Sequence, residues 1–391
     1  VTKSIVRICI VFCFLSGHIL SQAEIPSDIL KREKEKVLNE SEKYLSEDPV
    51  TITAFRAERS AGGIHDYYSE GTYWWPDPQN PSGPYVRRDG INNPDNFVKH
   101  SNALERFSIQ TAALAAAFRL TGDERYSRHA MKHLKAWFAD EATRMNPNLL
   151  YAQAIKGVVT GRGIGIIDAI HLIEVARSVQ VLEGSGAIAA EDLTVIKAWF
   201  SDFLTWMTTH KYGIDEMNNG NNHSTWWCAQ AAMYASLTGN SDKSKFCLNF
   251  AKTELIPKQI DTAGSFPQEL ARTKPYSYSL FNFEGFALIC RLASMNGVNL
   301  WEYKASDGQS IKKAAEFIFP FIADKSKWKY KKDIVNFDKL PVRIMGLLSA
   351  GIDLKRQEYI DIWAGLNPDL ENDEMVRTFA IRQPVLWIDL K

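Results

Sequence analysis

The chain has 391 residues, 45% of them hydrophobic, enough to bury a large core as two modest domains or as one large helical or barrel domain. Its 46 Lys plus Arg balance 46 Asp plus Glu, so no global field draws it to nucleic acid or to a membrane surface. Any anionic ligand must therefore be held by local positive charge.

Lys3 and Arg7 precede the apolar run 8–15, and Ser21-Gln22-Ala23 supplies small residues for cleavage. This predicts a signal peptide over residues 1–23 and a periplasmic or secreted mature chain. The run is shorter than the roughly 20 residues a membrane span needs. No linker-like break in composition follows, so residues 24–391 read as a single domain. Of five cysteines, Cys9 and Cys13 fall in the signal. Cys228, Cys247 and Cys290 are widely spaced and odd in number, so buried free thiols are expected, and no zinc-type pair exists.

Residues 27–45 read as a polar helix. Residues 48–96, rich in Gly, Pro, Asn and aromatics, read as a long ordered loop region, and loops of that length in compact domains are usually functional. Helical spacing begins at 103–120, stops at Thr121-Gly122-Asp123 and resumes through Tyr126, Met131, Leu134, Trp137 and Phe138. Helices are also predicted over 166–182 and 190–210. The hairpin pattern recurs at 229–237, with Thr238-Gly239-Asn240 followed by Phe246, Leu248 and Phe250. A looser third copy runs 288–295, Asn296-Gly297, then Trp301 onward. Further helices are predicted at 311–322 and 341–350. In each hairpin a glycine suits the left-handed position that ends a helix. Repeated αα units with little strand-like alternation make the fold class all-α, as an open solenoid or a closed α/α toroid. The irregular aromatic loops favour the toroid, where they can line a cleft.

Three segments carry chemistry. In "NNGNNHSTWW" (218–227) a polar loop enters a helix, placing Asn222 and His223 near a helix N-terminus, which favours anions. The plainer reading makes Asn222 an N-cap and packs His223 on Trp226 or Trp227. "FPQELARTKPYSYSLFN" (266–282) offers Arg272, a planar fork for a carboxylate, with Lys274, Tyr276 and Tyr278 close behind. A tyrosine beside an arginine is a candidate for a lowered phenol pKa and for proton transfer. Alternatively Arg272 pairs with Glu269 and the tyrosines belong to the core. "GTYWWPDP" (71–78), followed by Arg87 and Arg88, suits stacking on sugar rings and neutralising acidic sugars, or simply pins the loop through Trp74 and Trp75. "GRGIGIIDA" (161–169) matches neither a phosphate loop nor a dinucleotide fingerprint; it reads as the entry to a helix, with Arg162 a candidate subsite residue. His129, His133 and His171 lie in helical segments without a metal-ligand pattern and read as core or surface residues.

Asn222, His223, Arg272 and Tyr278 form a set that one reaction needs. Cleaving a uronic-acid polymer by β-elimination requires neutralising the C5 carboxylate, a base for H5 and an acid for the departing O4. The scheme requires no cofactor and no metal. The same residues resemble the alginate lyase superfamily of helical-toroid polysaccharide lyases, on "NNHSTWW" and "FPQELARTKPYSYSLFN", supported by "YWWPDP" and "GRGIGIIDA". The resemblance runs from about Tyr73 to about Asn282. It implies an α/α toroid, an incomplete barrel of about six to seven helical hairpins, acting on an acidic polysaccharide, alginate or glucuronan. It also implies an active site of Asn222, His223, Arg272 and Tyr278. Tyr73, Trp74, Trp75, Arg87, Arg88, Arg162, Tyr276 and Glu269 are the candidate substrate-binding residues. The six-residue spacing from Arg272 to Tyr278 departs from some alginate lyases and leaves the role of Tyr276 open.

Two other classes compete. A glycoside hydrolase on the same fold needs two facing carboxylic acids, for which Asp66, Asp77, Glu105 and Glu269 are available. A helical glycan-binding protein would use the tryptophans and tyrosines without turnover.

Overall fold

The computed structural model describes residues 24–184 and 188–389, so the expected signal at 1–23 lies outside the described residues. The polar start forms α1 (Ser27–Tyr44), which buries Ile29 and Val37 and packs on α2 (Lys99–Thr121). Between them the aromatic stretch is ordered around short strands: β1 (Tyr68–Glu70), β2 (Trp74–Trp75) and β3 (Val86–Arg87). β2 pairs antiparallel with β3, and β1 pairs parallel with the later β4 (Tyr151–Ala154). Strands of two to four residues carry no alternation that a sequence reading can detect.

α2 and α3 (Glu124–Phe138) make the first helical hairpin, and α7 (Asn222–Thr238) and α8 (Ser241–Phe250) repeat it. Gly122 and Gly239 end α2 and α7 at φ 70° and 71°, as the sequence predicts, because a residue with a Cβ is disfavoured there. The third hairpin is looser than predicted. α11 (Pro275–Met295) ends before Gly297, but a 3₁₀ turn at Leu300–Glu302 intervenes and α12 starts only at Ile311 (Ile311–Ala323).

The helix predicted over 166–182 splits into a 3₁₀ turn (Gly163–Ala169) and α4 (Leu172–Glu183). Close backbone approach explains the split. A Cβ on Gly161 would lie 1.9 Å from the Leu150 carbonyl oxygen, and one on Gly165 would lie 2.5 Å from Ala152. The glycines thus press this segment onto β4. α5 (Ala190–Thr209) matches its prediction, whereas α6 (Lys211–Met217), α9 (Ile256–Gln259) and α10 (Pro267–Leu270) are short additions. α13 (Met345–Asp353) begins four residues later than predicted at 341, and α14 (Gln357–Gly365) and α15 (Asp373–Thr378) follow.

α2, α4, α7, α11 and α13 form an inner row, each packed on the next, while α3, α5, α8, α12 and α14 lie outside. The inner helices are apolar on most sides, as helices wrapped by neighbours must be; α7 buries thirteen of its 17 residues, against two of the ten in α8. The fold is an α/α toroid. Its buried hydrophobic residues form one continuous cluster from Ile29 to Ile388. Cys228, Cys247 and Cys290 are buried and unbridged within it, and His133 and His171 are likewise buried.

Packing between α7 and α11 fixes the site. Trp226 stacks on Phe281 at 4.9 Å and donates its indole N–H to the Phe281 carbonyl at 3.1 Å. The segments leading into α4, α7 and α11 meet around one cleft.

Candidate active site

The cleft has a volume of about 300 Å³, and Asn222, His223, Arg272 and Tyr278 all line it. Arg87, Arg162, Arg272, Lys274 and Arg377 face the same space, with Asp168 the carboxylate among the lining residues. A chain with no net charge has thus gathered a local excess of positive charge.

At the start of α7 the N-cap is Asn221, whose side chain accepts the His223 backbone N–H at 3.0 Å. Asn222 is therefore free of the capping role. Its backbone N–H and its Nδ2 each donate to Glu269 at 2.8 Å, which aims the remaining amide atoms at the cleft. Burial pushes the Glu269 carboxyl up, against the lowering effect of the two Asn222 bonds. Glu269 is 1% exposed and is not among the described lining residues of the cleft, so it holds Asn222 from behind. It also does not pair with Arg272, contrary to the plainer sequence reading. Glu269→Ala is expected to lower the unfolding free energy by about 1–3 kcal/mol, because two buried donors lose their acceptor; a drop in the urea midpoint at constant slope checks this.

His223 does not pack on either tryptophan. Its Nδ1 lies 2.7 Å from Oε1 of Glu216, a buried residue on α6. A neutral ring that donates its Nδ1–H to that carboxylate has Nε2 as its proton-accepting atom. Sequence reasoning missed Glu216, whose signal was an acid seven residues before the histidine on its own helical turn.

Arg272 is held by Asp89, with its Nη2 3.1 Å from Oδ1, and it donates to the Tyr278 hydroxyl at 3.2 Å. Its guanidinium stands 4.3 Å from the centroid of the Tyr278 ring. Burial raises the Asp89 carboxyl, but hydrogen bonding and charge from Arg272 outweigh it and bring it to about 2. Asp89 therefore stays ionised and keeps the fork in place. Tyr278 Oη is 2.9 Å from Tyr73 Oη, and Lys274 Nζ donates to Tyr73 Oη at 3.0 Å. Lys274 is also ion-paired with Glu374 on α15. The expectation of a lowered phenol at Tyr278 is corrected here. Burial and the neighbouring Tyr73 push Tyr278 up, whereas at Tyr73 the charges of Lys274 and Arg377 outweigh burial and the phenol is lowered.

The other predicted contacts divide. Tyr73, Trp74, Arg87 and Arg162 line the cleft. Arg162 donates to the Gln153 carbonyl at 2.9 Å and sits over Trp74, and burial lowers its pKa to about 10. Gln153 adopts φ 54°, a strained conformation for a non-glycine residue and one that clusters at functional sites. Trp75 and Arg88 fall outside the cleft lining, engaged with each other at 4.9 Å, and the Trp75 indole N–H is bonded to the Ile91 carbonyl. Tyr276 is a core residue. It is fully buried, donates its hydroxyl to the Phe321 carbonyl at 2.9 Å and packs edge-on against Trp328 and Phe337. Lys274, Asp89, Glu216 and Arg377 are the site residues that the sequence reading left unassigned.

The carboxylates named for hydrolysis do not face one another across this space. Among the described lining residues the carboxylate is Asp168, itself held by Ser69, Gln153 and Tyr67. A helical toroid around a cationic cleft is a setting suited to a polysaccharide lyase, and the family match makes the chain one. It belongs to the alginate lyase family, whose profile it matches over residues 51–328. An alginate lyase from Bacteroides ovatus is 30% identical with a TM-score of 0.79, over 95% of this chain and 99% of that one. A variant of alginate lyase A1-III complexed with tetrasaccharide shares the fold at 15% identity and TM-score 0.58, and its apo form at 0.57, each over 95% of this chain and 98% of that one. No curated protein matches the chain.

Proposed function

We propose that this lyase cleaves a polyuronide, alginate or glucuronan, by β-elimination and leaves 4,5-unsaturated uronate ends. The observation that carries the reading is the convergence of Asn222, His223, Arg272 and Tyr278 on one cationic cleft. Arg272 and Asn222 bind the carboxylate of the sugar at the cleavage site and take up the charge that develops as H5 leaves. In mannuronate and glucuronate, H5 and O4 lie on the same face of the ring, so Tyr278 serves as base and then as acid. In guluronate they lie on opposite faces. There His223 Nε2, with its ring oriented by Glu216, removes H5 while Tyr278 protonates O4.

This division of labour predicts a selective defect. His223→Ala is expected to lose about 10²–10⁴-fold on guluronan while retaining most of its rate on mannuronan, measured as ultraviolet absorbance of the new C4=C5 bond. Equal losses on both polymers would assign His223 to substrate binding. The family resemblance and the Bacteroides ovatus neighbour support alginate; glucuronan is kept because its syn geometry asks the same of Tyr278 as mannuronan does.

A further inference from the structure

Two of the three hydrogen bonds at the two tyrosine hydroxyls have a fixed direction. Arg272 can only donate, so at 3.2 Å Tyr278 Oη accepts from it. Lys274 can only donate, so at 3.0 Å Tyr73 Oη accepts from it. The 2.9 Å contact between the two hydroxyls needs one proton between them. Arg377 adds its charge on the Tyr73 side, where its Nη1 donates to the adjacent Thr72 hydroxyl at 3.0 Å. Either hydroxyl can be the donor in that contact, but the Tyr73 oxygen accepts from an ammonium and also feels the charge of Arg377, which suits it to hold a phenolate.

We propose that Tyr73 is a positioning residue that stores the proton of Tyr278, so that transfer across their Oη–Oη contact decides whether Tyr278 begins a turnover as acid or as base. The inference rests on the elimination chemistry assigned to Tyr278 above. In the form that begins a turnover the proposal puts the charge on Tyr73 and the proton on Tyr278, the same order as the lowered phenol at Tyr73 and the raised one at Tyr278. That form is ready for guluronate, where His223 takes H5 and Tyr278 gives its proton to O4 as the C4–O4 bond breaks. Tyr278 is left as phenolate, and the proton taken up by His223 returns through solvent. For mannuronate or glucuronate the Tyr278 proton first crosses to Tyr73. The Tyr278 phenolate then takes H5, passes that same proton to O4 as the bond breaks, and recovers its original proton from Tyr73. Each cycle ends with one proton on the pair, as it began.

Charged groups reach this pair from several elements. Arg272 and Lys274 lie at the entry to α11, with Asp89 behind Arg272. Glu374 and Arg377 come from α15, Asp168 from the 3₁₀ turn acts on Arg377, and His223 of α7 faces the same cleft. Glu374 is ion-paired with Lys274 and Asp89 with Arg272, while Arg377 adds its charge at Tyr73.

The test compares the full chain with its Tyr73→Phe and Lys274→Met variants. The proposal expects Tyr73→Phe to lower the ratio of mannuronan to guluronan kcat/KM by about tenfold or more. It also expects the acidic limb of the mannuronan profile to move to higher pH, because Tyr278 must then ionise with Arg272 as its one bonded cation. Lys274→Met shifts the limb the same way with both tyrosines present, which covers a Tyr73→Phe chain that fails to fold. Titrating the wild type by tyrosinate absorbance gives one phenolate below the ordinary tyrosine range near about 10, and Tyr73→Phe removes it. An unchanged ratio and limb, or a phenolate signal that survives Tyr73→Phe, overturns the storage role. Full activity in Tyr278→Phe would instead remove the assignment of acid and base to Tyr278 on which the inference rests.

Discussion

Tyr278→Phe is expected to lower kcat/KM by about 10²–10⁴-fold on mannuronan, guluronan and glucuronan alike, the range for loss of a general acid or base. The substitution deletes one oxygen and keeps the ring that Arg272 faces at 4.3 Å, so the cleft keeps its shape. Both proposed geometries pass through that oxygen, as base and acid for syn elimination and as acid for anti elimination. The loss should fall on kcat, with substrate affinity little changed, because the oxygen acts on the reacting atoms and not on the ground-state carboxylate. A variant retaining near wild-type rates on every polymer would move the acid to another group. Of the two side chains hydrogen-bonded to the Tyr278 oxygen, Arg272 and Tyr73, Tyr73 is the one with a hydroxyl proton to give.

Arg272→Ala is expected to cost about 10²–10³-fold in kcat, comparable to removing a donor that stabilises developing negative charge. The charge of the carboxylate grows as H5 departs, so the guanidinium is worth more in the transition state than in the ground state. Removing it also releases Asp89, held near about 2 by its arginine, and presents an unpaired carboxylate toward a polyanion. KM should therefore rise as well as kcat fall. Arg272→Lys restores the charge without the fork and is expected to recover only part of the loss. Steady-state kinetics on one polymer separates the cases, and a rise in KM alone would reduce Arg272 to a ground-state binding residue.

Both predictions concern residues that were legible before any coordinates. Asparagines are poor helix formers and "STWWCAQAAMYASL" is a good helix, so the position of Asn222 and His223 at a helix start follows from propensity. The hairpins were legible because Gly122 and Gly239 must adopt a left-handed turn between two periodic segments. Choosing between near neighbours was not. Tyr276 and Tyr278 are two apart on α11 and so point to different sides, and Trp74 and Trp75 alternate across β2; which member faces the cleft depends on what packs behind it. The partners that orient the site were the least legible. Asp89 reaches Arg272 across 183 residues of chain, and Lys274 meets Glu374 from 100 residues away. Arg377 lies beyond the 51–328 stretch that carries the family match, on a six-residue helix with no periodicity to notice. Such pairings are made by the closure of the toroid, not by any local pattern.

The central claim is metal-independent elimination on a polyuronide. It is tested most directly by following ultraviolet absorbance while the purified chain is incubated with mannuronan, guluronan and glucuronan separately, with and without chelator. The account predicts a rise on at least one polymer that survives the chelator. New reducing ends without that absorbance would contradict it.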